Sequence, residues 1–451
     1  MRKALAAIAS LMWMATSYAS NAPAWKDKAD AILHEVSDYA PGASVAIVEK
    51  GQLVYSTSRG LASVELNVPL IAASRFRIGS LTKTVTAAAI LKLQADGQLN
   101  LDDPLAKWLP NFLGSSGITI RELLNHTSGV SDAWDAPLAE VLSTEQRLAL
   151  IGKAHADFPP GTDWRYSNSG YMVLGAVLEK VTGLSWSDAA RKLVLEPLGI
   201  DGLGYHDDSA VVRGLVPGYT SGQDGRPAKP ALYSISGPGA AGALDGDATS
   251  VATLLRRLGT SQGPWPVIFK SMTTPTRVGK QDIPYGMGTV PGRLHGIPIV
   301  EHAGGIEGYS AYYVYAMGQD LAVVVLENSD SPKVTSRSLA RRIAGVALGV
   351  PYRTFEPAAW PAQKINALAG SYVIEGDSRH SIAIHDGAPW IRRDDGPEKR
   401  LVPAAGNVLF YAGDGTDFIE PVQDGNGVAH SLKFHSDGEA SFRVEAREKS
   451  K

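Results

Sequence analysis

The sequence predicts an α/β fold of the α+β kind: one antiparallel sheet with a helical region on one side, followed by a small C-terminal all-β barrel. Three observations carry this expectation. Strand-like segments lie towards both ends of the first 350 residues with helical patterns between them, so distant parts of the chain must complete one sheet. From residue 368 onward the pattern changes to short alternating apolar runs separated by Gly or Asp turns, the mark of a small barrel or sandwich. At 451 residues the chain also exceeds the usual length of one compact core, so two domains are expected.

Taken in order, the chain opens with Arg2 and Lys3, an almost wholly apolar run over residues 4–15, and Ser17-Tyr18-Ala19. This is the pattern of a signal peptide over residues 1–19, which implies a periplasmic or secreted protein. The run is too short to stay in a bilayer as an anchor, so no stable membrane insertion is expected. A catalytic domain is expected over residues 20–350. Its first helix, 26–39, places Ala29, Ile32, Leu33 and Val36 on one face. Segments 43–48 and 53–57 flank Glu49-Lys50-Gly51-Gln52 as a hairpin. The clearest helix covers 81–95 and stops at Gly97. Helical patterns recur at 120–125, 144–154, 170–181 and 187–195, and Asp247 caps another that runs to residue 258. Strands follow at 297–301, 309–315 and 321–327, then a helix at 336–347. Pro351, Pro357 and Pro361 mark a linker over 351–364. Barrel strands are expected at 381–384, 389–392, 408–411, 418–422, 432–434 and 442–444, in a domain spanning 365–451.

Composition narrows the function. Hydrophobic residues at 44% and charged residues at 20% describe an ordinary globular chain rather than a disordered or fibrous one. A formal charge of -3 with no dense basic run argues against nucleic acid as a partner. The absence of cysteine removes disulfides, thiolate metal sites and cysteine nucleophiles. No cofactor or metal is expected. The run Gly237-Pro238-Gly239-Ala240-Ala241-Gly242 fits a dinucleotide fingerprint, but no βαβ unit surrounds it and a proline sits inside; a loop bordering the active site fits better. Gly259-Thr260-Ser261-Gln262-Gly263 matches a nucleophile elbow in letters, yet it follows a helix and precedes Pro264. His126 and His302 lack a His-x-x-x-His or carboxylate cluster, and His126 reads as a core histidine.

Three short elements carry chemistry. Ser80-Leu81-Thr82-Lys83 is the only Ser-x-x-Lys in the chain and opens the 81–95 helix, so hydroxyl and ammonium share a helix face one turn apart. A lysine among apolar neighbours can lose its proton and serve as the base a serine nucleophile needs. In an ordinary helix the same residues would be a capping serine and a solvated lysine. Tyr166-Ser167-Asn168, the only Tyr-x-Asn, precedes the 170–181 helix. A tyrosine beside an ammonium is favoured as phenolate and can shuttle protons, and the Asn168 amide can bind a substrate carbonyl. His302-Ala303-Gly304-Gly305 ends a strand, where small residues admit a substrate backbone and an N–H can donate to an oxyanion.

Together these elements resemble the serine β-lactamase and penicillin-binding protein superfamily, most closely class C β-lactamases and their peptidase and esterase relatives. The resemblance covers roughly residues 25–350. It includes Leu101-Asp102-Asp103-Pro104, Leu123-Leu124-Asn125-His126-Thr127-Ser128-Gly129 and Tyr285-Gly286-Met287-Gly288. It implies Ser80 as nucleophile, Lys83 with Tyr166 as general base and acid, Asn168 as a substrate-orienting group, and the N–H groups of Ser80 and Gly305 as the oxyanion hole. His302 stands where β-lactamases have the lysine of Lys-Thr-Gly, which favours an aminopeptidase, amidase or esterase over a β-lactamase or D,D-peptidase. A receptor that binds without turnover is the remaining alternative. The His-x-Gly form with a trailing β-domain resembles D-aminopeptidase-like members, whose extra domains are lipocalin-like barrels. The expected partner is therefore a small molecule or short peptide. Because an unperturbed histidine has a pKa near 6.5, His302 is expected to charge towards pH 5.5 and then favour carboxylate-bearing substrates.

Overall fold

The computed structural model describes residues 25–132, 139–376, 378–424, 428–438 and 442–448; the expected signal peptide lies outside them. The central sheet has six antiparallel strands in the order Val290–Leu294, Ile297–Ile306, Tyr309–Ala316, Leu321–Glu327, Ala43–Glu49 and Gln52–Arg59. Strands from both ends of the domain thus meet in its middle, where Ala43 pairs with Glu327 and Glu49 with Leu321. Side chains alternate between the two faces with the period of a strand. Val45 and Ile47 join the helices Trp25–Leu33 and Ser336–Ala347 on one face, while Ala46 and Val48 join the large helical region on the other.

At the centre of that region, the helix Thr82–Ala95 is buried nearly all round. It packs between the sheet and the helix Asn168–Thr182, so polar residues at its start are buried too. Gly79–Leu81 forms a single 3-10 turn ahead of it. That turn is fed by Phe76–Arg77, which pairs with Leu244–Gly246, itself paired to Leu203–Tyr205. Fully buried Asp245 anchors this small sheet by accepting from Arg75 at 2.6 Å and Arg77 at 3.3 Å, with His206 Nδ1 at 2.8 Å. The helix expected at 187–195 is observed as Trp186–Ala190 continuing into a π turn, Arg191–Leu195.

Eight strands close the C-terminal barrel in sequence order, from Gly370–Glu375 to Arg443–Arg447. Two of them, Gly370–Glu375 and Lys399–Ala404, were not anticipated. The second holds Pro403, which breaks the strand signal yet sits opposite Leu409 in the ladder. The proline-rich segment at 351–364 lies along the barrel: Pro357 bridges to Ala404, Phe355 stacks on Phe410 at 5.4 Å, and Trp360 Nε1 donates to Ala404 O at 3.0 Å.

The barrel is held to the catalytic unit by arginines of the Ser336–Ala347 helix. Arg341 has no exposed surface; it lies 3.5 Å from Asp437 of the barrel, pairs with Glu301, and donates to Tyr352 Oη at 3.0 Å and Arg293 O at 2.9 Å. Arg337 donates to Thr416 Oγ1 at 2.9 Å and pairs with Asp437, with Asp414 at 3.6 Å. Removing one partner from a partly buried pair leaves the other charge poorly solvated. Asp437→Ala should therefore lower stability by about 1–3 kcal/mol in urea unfolding. Wild-type stability in that variant would show that this contact holds nothing.

Candidate active site

The site lies where the 3-10 turn, the Asn168–Thr182 helix and the Ile297–Ile306 strand converge. Ser80 caps neither its own turn nor the following helix through its side chain, so its hydroxyl is left for chemistry. Lys83, with no exposed surface, places Nζ 3.0 Å from Ser80 Oγ. The same nitrogen lies 2.8 Å from Asn168 Oδ1 and 2.8 Å from Ala241 O. Burial disfavours the ammonium and pulls the Lys83 pKa down to about 7, against a smaller opposing pull from Asp132. The solvated-lysine reading therefore fails. A neutral amine that donates its two protons to two carbonyl oxygens keeps its lone pair for the third neighbour, Ser80 Oγ.

Tyr166 lies beside this pair, its ring 4.9 Å from Lys83 Nζ, and the Ser80 hydroxyl is near enough to favour its charged form slightly. The expectation of a phenolate is corrected: burial pushes the Tyr166 hydroxyl well up, and Asp132 adds to the shift. With the Lys83 pKa drawn down to about 7, the ammonium that would offset desolvation of the phenol is itself disfavoured. Lys83 is thus suited to accept a proton and Tyr166 to donate one.

Asn168 is held at both ends of its amide, and the second proton of its NH2 is compatible with the expected contact to a substrate carbonyl. Its Oδ1 faces Lys83 and its Nδ2 donates to Asp132 Oδ2 at 3.1 Å. Sequence reasoning missed Asp132, which also accepts from Asn168 N at 2.9 Å, Ser169 N at 2.8 Å and Ser167 Oγ at 3.2 Å. It missed the part played by His126 as well. That ring is buried against Tyr166 at 4.4 Å, and its Nδ1 accepts from Ser167 N at 3.1 Å. The neighbouring backbone continues the splint: Arg165 N donates to His126 O at 3.1 Å and Gly161 N to Thr127 O at 2.8 Å. The 123–129 motif therefore holds the Tyr166 segment in place. The 237–242 run borders the site through Ala241 O and is followed by a short strand rather than the helix a dinucleotide site needs.

The Ile297–Ile306 strand brings two expected residues inward. His302 is buried, with Nε2 3.1 Å from Tyr285 Oη and Nδ1 2.6 Å from Ala303 O. Burial, with Lys83 nearby, pulls its pKa down to about 4, so the expected charging near pH 5.5 is overturned. Gly304 is also buried, and a Cβ there would fall 2.2 Å from Ile78 O. Its small size serves the approach of strand to turn. Gly79, at φ +52°, completes this fit, since its Cβ would lie 2.7 Å from Gly305 N. Strand alternation turns Gly305 outward, where a Cβ would meet nothing within 4 Å. Among the described residues no group of three or more His, Cys, Asp or Glu could hold a metal ion, and no helix is long and apolar enough to cross a membrane.

Gly304→Ala should push the strand off the Ser80 turn, lowering the melting temperature and cutting kcat at least about 10-fold, as expected if the Gly305 N–H serves an oxyanion. A variant with wild-type melting and turnover would show that the close approach is dispensable.

The beta-lactamase family model matches residues 29–348. Penicillin-binding protein 4* of Bacillus subtilis is 27% identical over 74% of this chain and 79% of its own length. A D-aminopeptidase of Gluconobacter oxydans is 26% identical over 74% of this chain, and esterase EstB of Burkholderia gladioli is 34% identical over 36% of it. The chain spans 63% and 47% of those two relatives. Among solved structures, a D-stereospecific amidohydrolase from Streptomyces superposes with a TM-score of 0.58 at 27% identity, covering 67% of this chain and 95% of that one. The octameric penicillin-binding protein homologue from Pyrococcus abyssi superposes at 0.65 over 93% of this chain and 99% of that one; at 23% identity this is a likeness of fold. The match to the family model, over most of the chain, shows that this protein belongs to the beta-lactamase family.

Proposed function

We propose that this chain is an exported serine hydrolase that cleaves amide or ester bonds through an acyl-enzyme on Ser80. The observation that carries the reading is Lys83: a buried amine 3.0 Å from Ser80 Oγ, with a pKa of about 7 and both of its protons directed at carbonyl oxygens. In the forward step the Lys83 lone pair takes the Ser80 proton as Oγ attacks the carbonyl carbon. The oxyanion then sits between the N–H groups of Ser80 and Gly305. Tyr166 gives its hydroxyl proton to the leaving nitrogen or oxygen and is reprotonated by the Lys83 ammonium. Water repeats the sequence on the acyl-enzyme and frees Ser80.

The acyl group is argued from His302. A neutral imidazole turned inward offers no cation for a substrate carboxylate. This favours an aminopeptidase, amidase or esterase over a carboxylate-gripping β-lactamase or D,D-peptidase. The names of the relatives, a D-aminopeptidase and an esterase, support the same class. The apolar start of the chain supports export to the periplasm or medium.

One experiment tests the reading. The full chain and Ser80→Ala are assayed with a p-nitrophenyl ester, its carboxylate analogue, a D-amino-acid p-nitroanilide and nitrocefin from pH 5.5 to 8, with intact-mass spectra of the stalled reaction. Expected are turnover of ester or anilide, a mass adduct absent from Ser80→Ala, and a neutral-to-carboxylate kcat/KM ratio that stays flat with pH. Nitrocefin as best substrate would move the protein to the β-lactamases, and an adduct without turnover would make it a receptor.

A further inference from the structure

We propose that Asp132 is a positioning residue for the Ser80 reaction: it fixes which end of the Asn168 amide faces Lys83 and so aims the lysine lone pair at the serine. The inference rests on the reading of Lys83 as the base and adds a residue that no sequence motif marks.

The geometry is a matter of donors and acceptors. An amide has one accepting and one donating end, and either can point either way unless a neighbour decides. A carboxylate can only accept. Asp132 Oδ2 takes both Asn168 N at 2.9 Å and Asn168 Nδ2 at 3.1 Å. The donating end of the amide is therefore turned away from Lys83, and Oδ1 meets Nζ at 2.8 Å. With Ala241 O as the second acceptor at 2.8 Å, both protons of the neutral amine are committed. If the amide were reversed, its NH2 would face the amine and compete for the lone pair that Ser80 needs. The other oxygen, Oδ1, is held by Ser169 N at 2.8 Å and Ser167 Oγ at 3.2 Å, so the carboxylate itself cannot swing free without losing two further bonds.

Asp132 also sets the charge that Lys83 experiences. The titratable groups facing Lys83 are Tyr166 and Tyr171, with rings at 4.9 and 5.5 Å, the histidines His126 and His302, and Asp132. Burial favours the phenol form of both tyrosines and the neutral form of both histidines. Among the described residues this leaves the Asp132 carboxylate as the charge that favours the ammonium form of Lys83. The carboxylate thus does two separable things: it orients the base, and it raises the pH at which the base is lost.

Those two effects give the test a readout that a mere helix cap would not move. In Asp132→Asn one oxygen becomes an NH2 that must face a donor, either the Asn168 amide or Ser169 N–H. The full chain, Asp132→Asn, Asp132→Glu, Asn168→Ala and the Asp132→Asn/Asn168→Ala double variant are compared for kcat, KM, acid limb and melting temperature on a p-nitrophenyl ester. Expected for Asp132→Asn is a kcat loss of about 10–100-fold, in the lower range for groups acting on proton transfer. KM should stay within about 3-fold, since binding is not what changes, and the acid limb should move to lower pH. Asp132→Glu should restore the limb. On the Asn168→Ala background the Asp132→Asn change should cost under about 3-fold, because the amide it orients is gone. Wild-type kcat with an unmoved limb in Asp132→Asn would overturn the proposal. So would a loss of rate and melting temperature with the limb unmoved, which is the behaviour of a cap alone. If Asp132→Asn does not fold, an Asp132→Glu protein with wild-type melting but an Asn-like limb shift would equally overturn it. Lys83→Ala, assayed alongside, separates the levels: retained activity there sinks the base assignment itself, whatever Asp132 does.

Discussion

A lysine removed from water loses the hydration that stabilises its charge, and the rest of this site is organised around that loss at Lys83. The residue begins a helix that is buried nearly all round, between a sheet completed by both ends of the domain and the Asn168–Thr182 helix. Among the described residues no carboxylate comes within hydrogen-bonding distance of Nζ; the acceptors there are Ser80 Oγ and two neutral carbonyl oxygens. Desolvation therefore wins over charge attraction, and the amine is a base near neutral pH. The same dry surroundings keep Tyr166 a phenol and His302 neutral, so one physical cause assigns base, acid and the missing carboxylate grip together.

What was legible in the sequence follows the range of the interactions. Ser80 and Lys83 are three residues apart at a helix start, a local relation that a strong apolar pattern exposes. The order of secondary elements was legible for the same reason, and with it the sheet closed by distant strands. Asp132 and Ala241 were not, because they meet Asn168 and Lys83 across 36 and 158 residues of chain. Nothing local marks a backbone carbonyl as a ligand for an amine. The error over His302 was one of environment rather than identity: its reference pKa presumes water, and the strand turns it inward beside Tyr285. Tyr166 was misread in the same way, since a phenolate presumes an ammonium that burial has already removed. The missed barrel strand at Lys399–Ala404 shows the remaining limit, a proline tolerated by its place in the ladder.

The barrel is tied to this chemistry by position. Arg341, which reaches Asp437 of the barrel at 3.5 Å, also pairs with Glu301, the residue immediately before His302 on the strand that carries Gly304 and Gly305. The segment expected as a spacer packs along the barrel wall through Phe355 and Trp360. The site strand is thus supported at two places: the Ser80 turn packs against Gly304 and Gly305 near its end, and the buried arginine holds Glu301 at its middle.

The central claim is that Lys83 titrates near neutral pH, so that the free amine is well populated at working pH, and it can be measured directly. In full-length protein carrying 13Cε-labelled lysine, the Lys83 resonance can be assigned by its loss in Lys83→Arg and followed from pH 5 to 11. A midpoint near 7, set apart from exposed lysines that titrate near 10.4, is the expected result. A Lys83 midpoint near 10 would mean that the residue is an ammonium throughout the working range, and the assignment of base and acid would have to be exchanged.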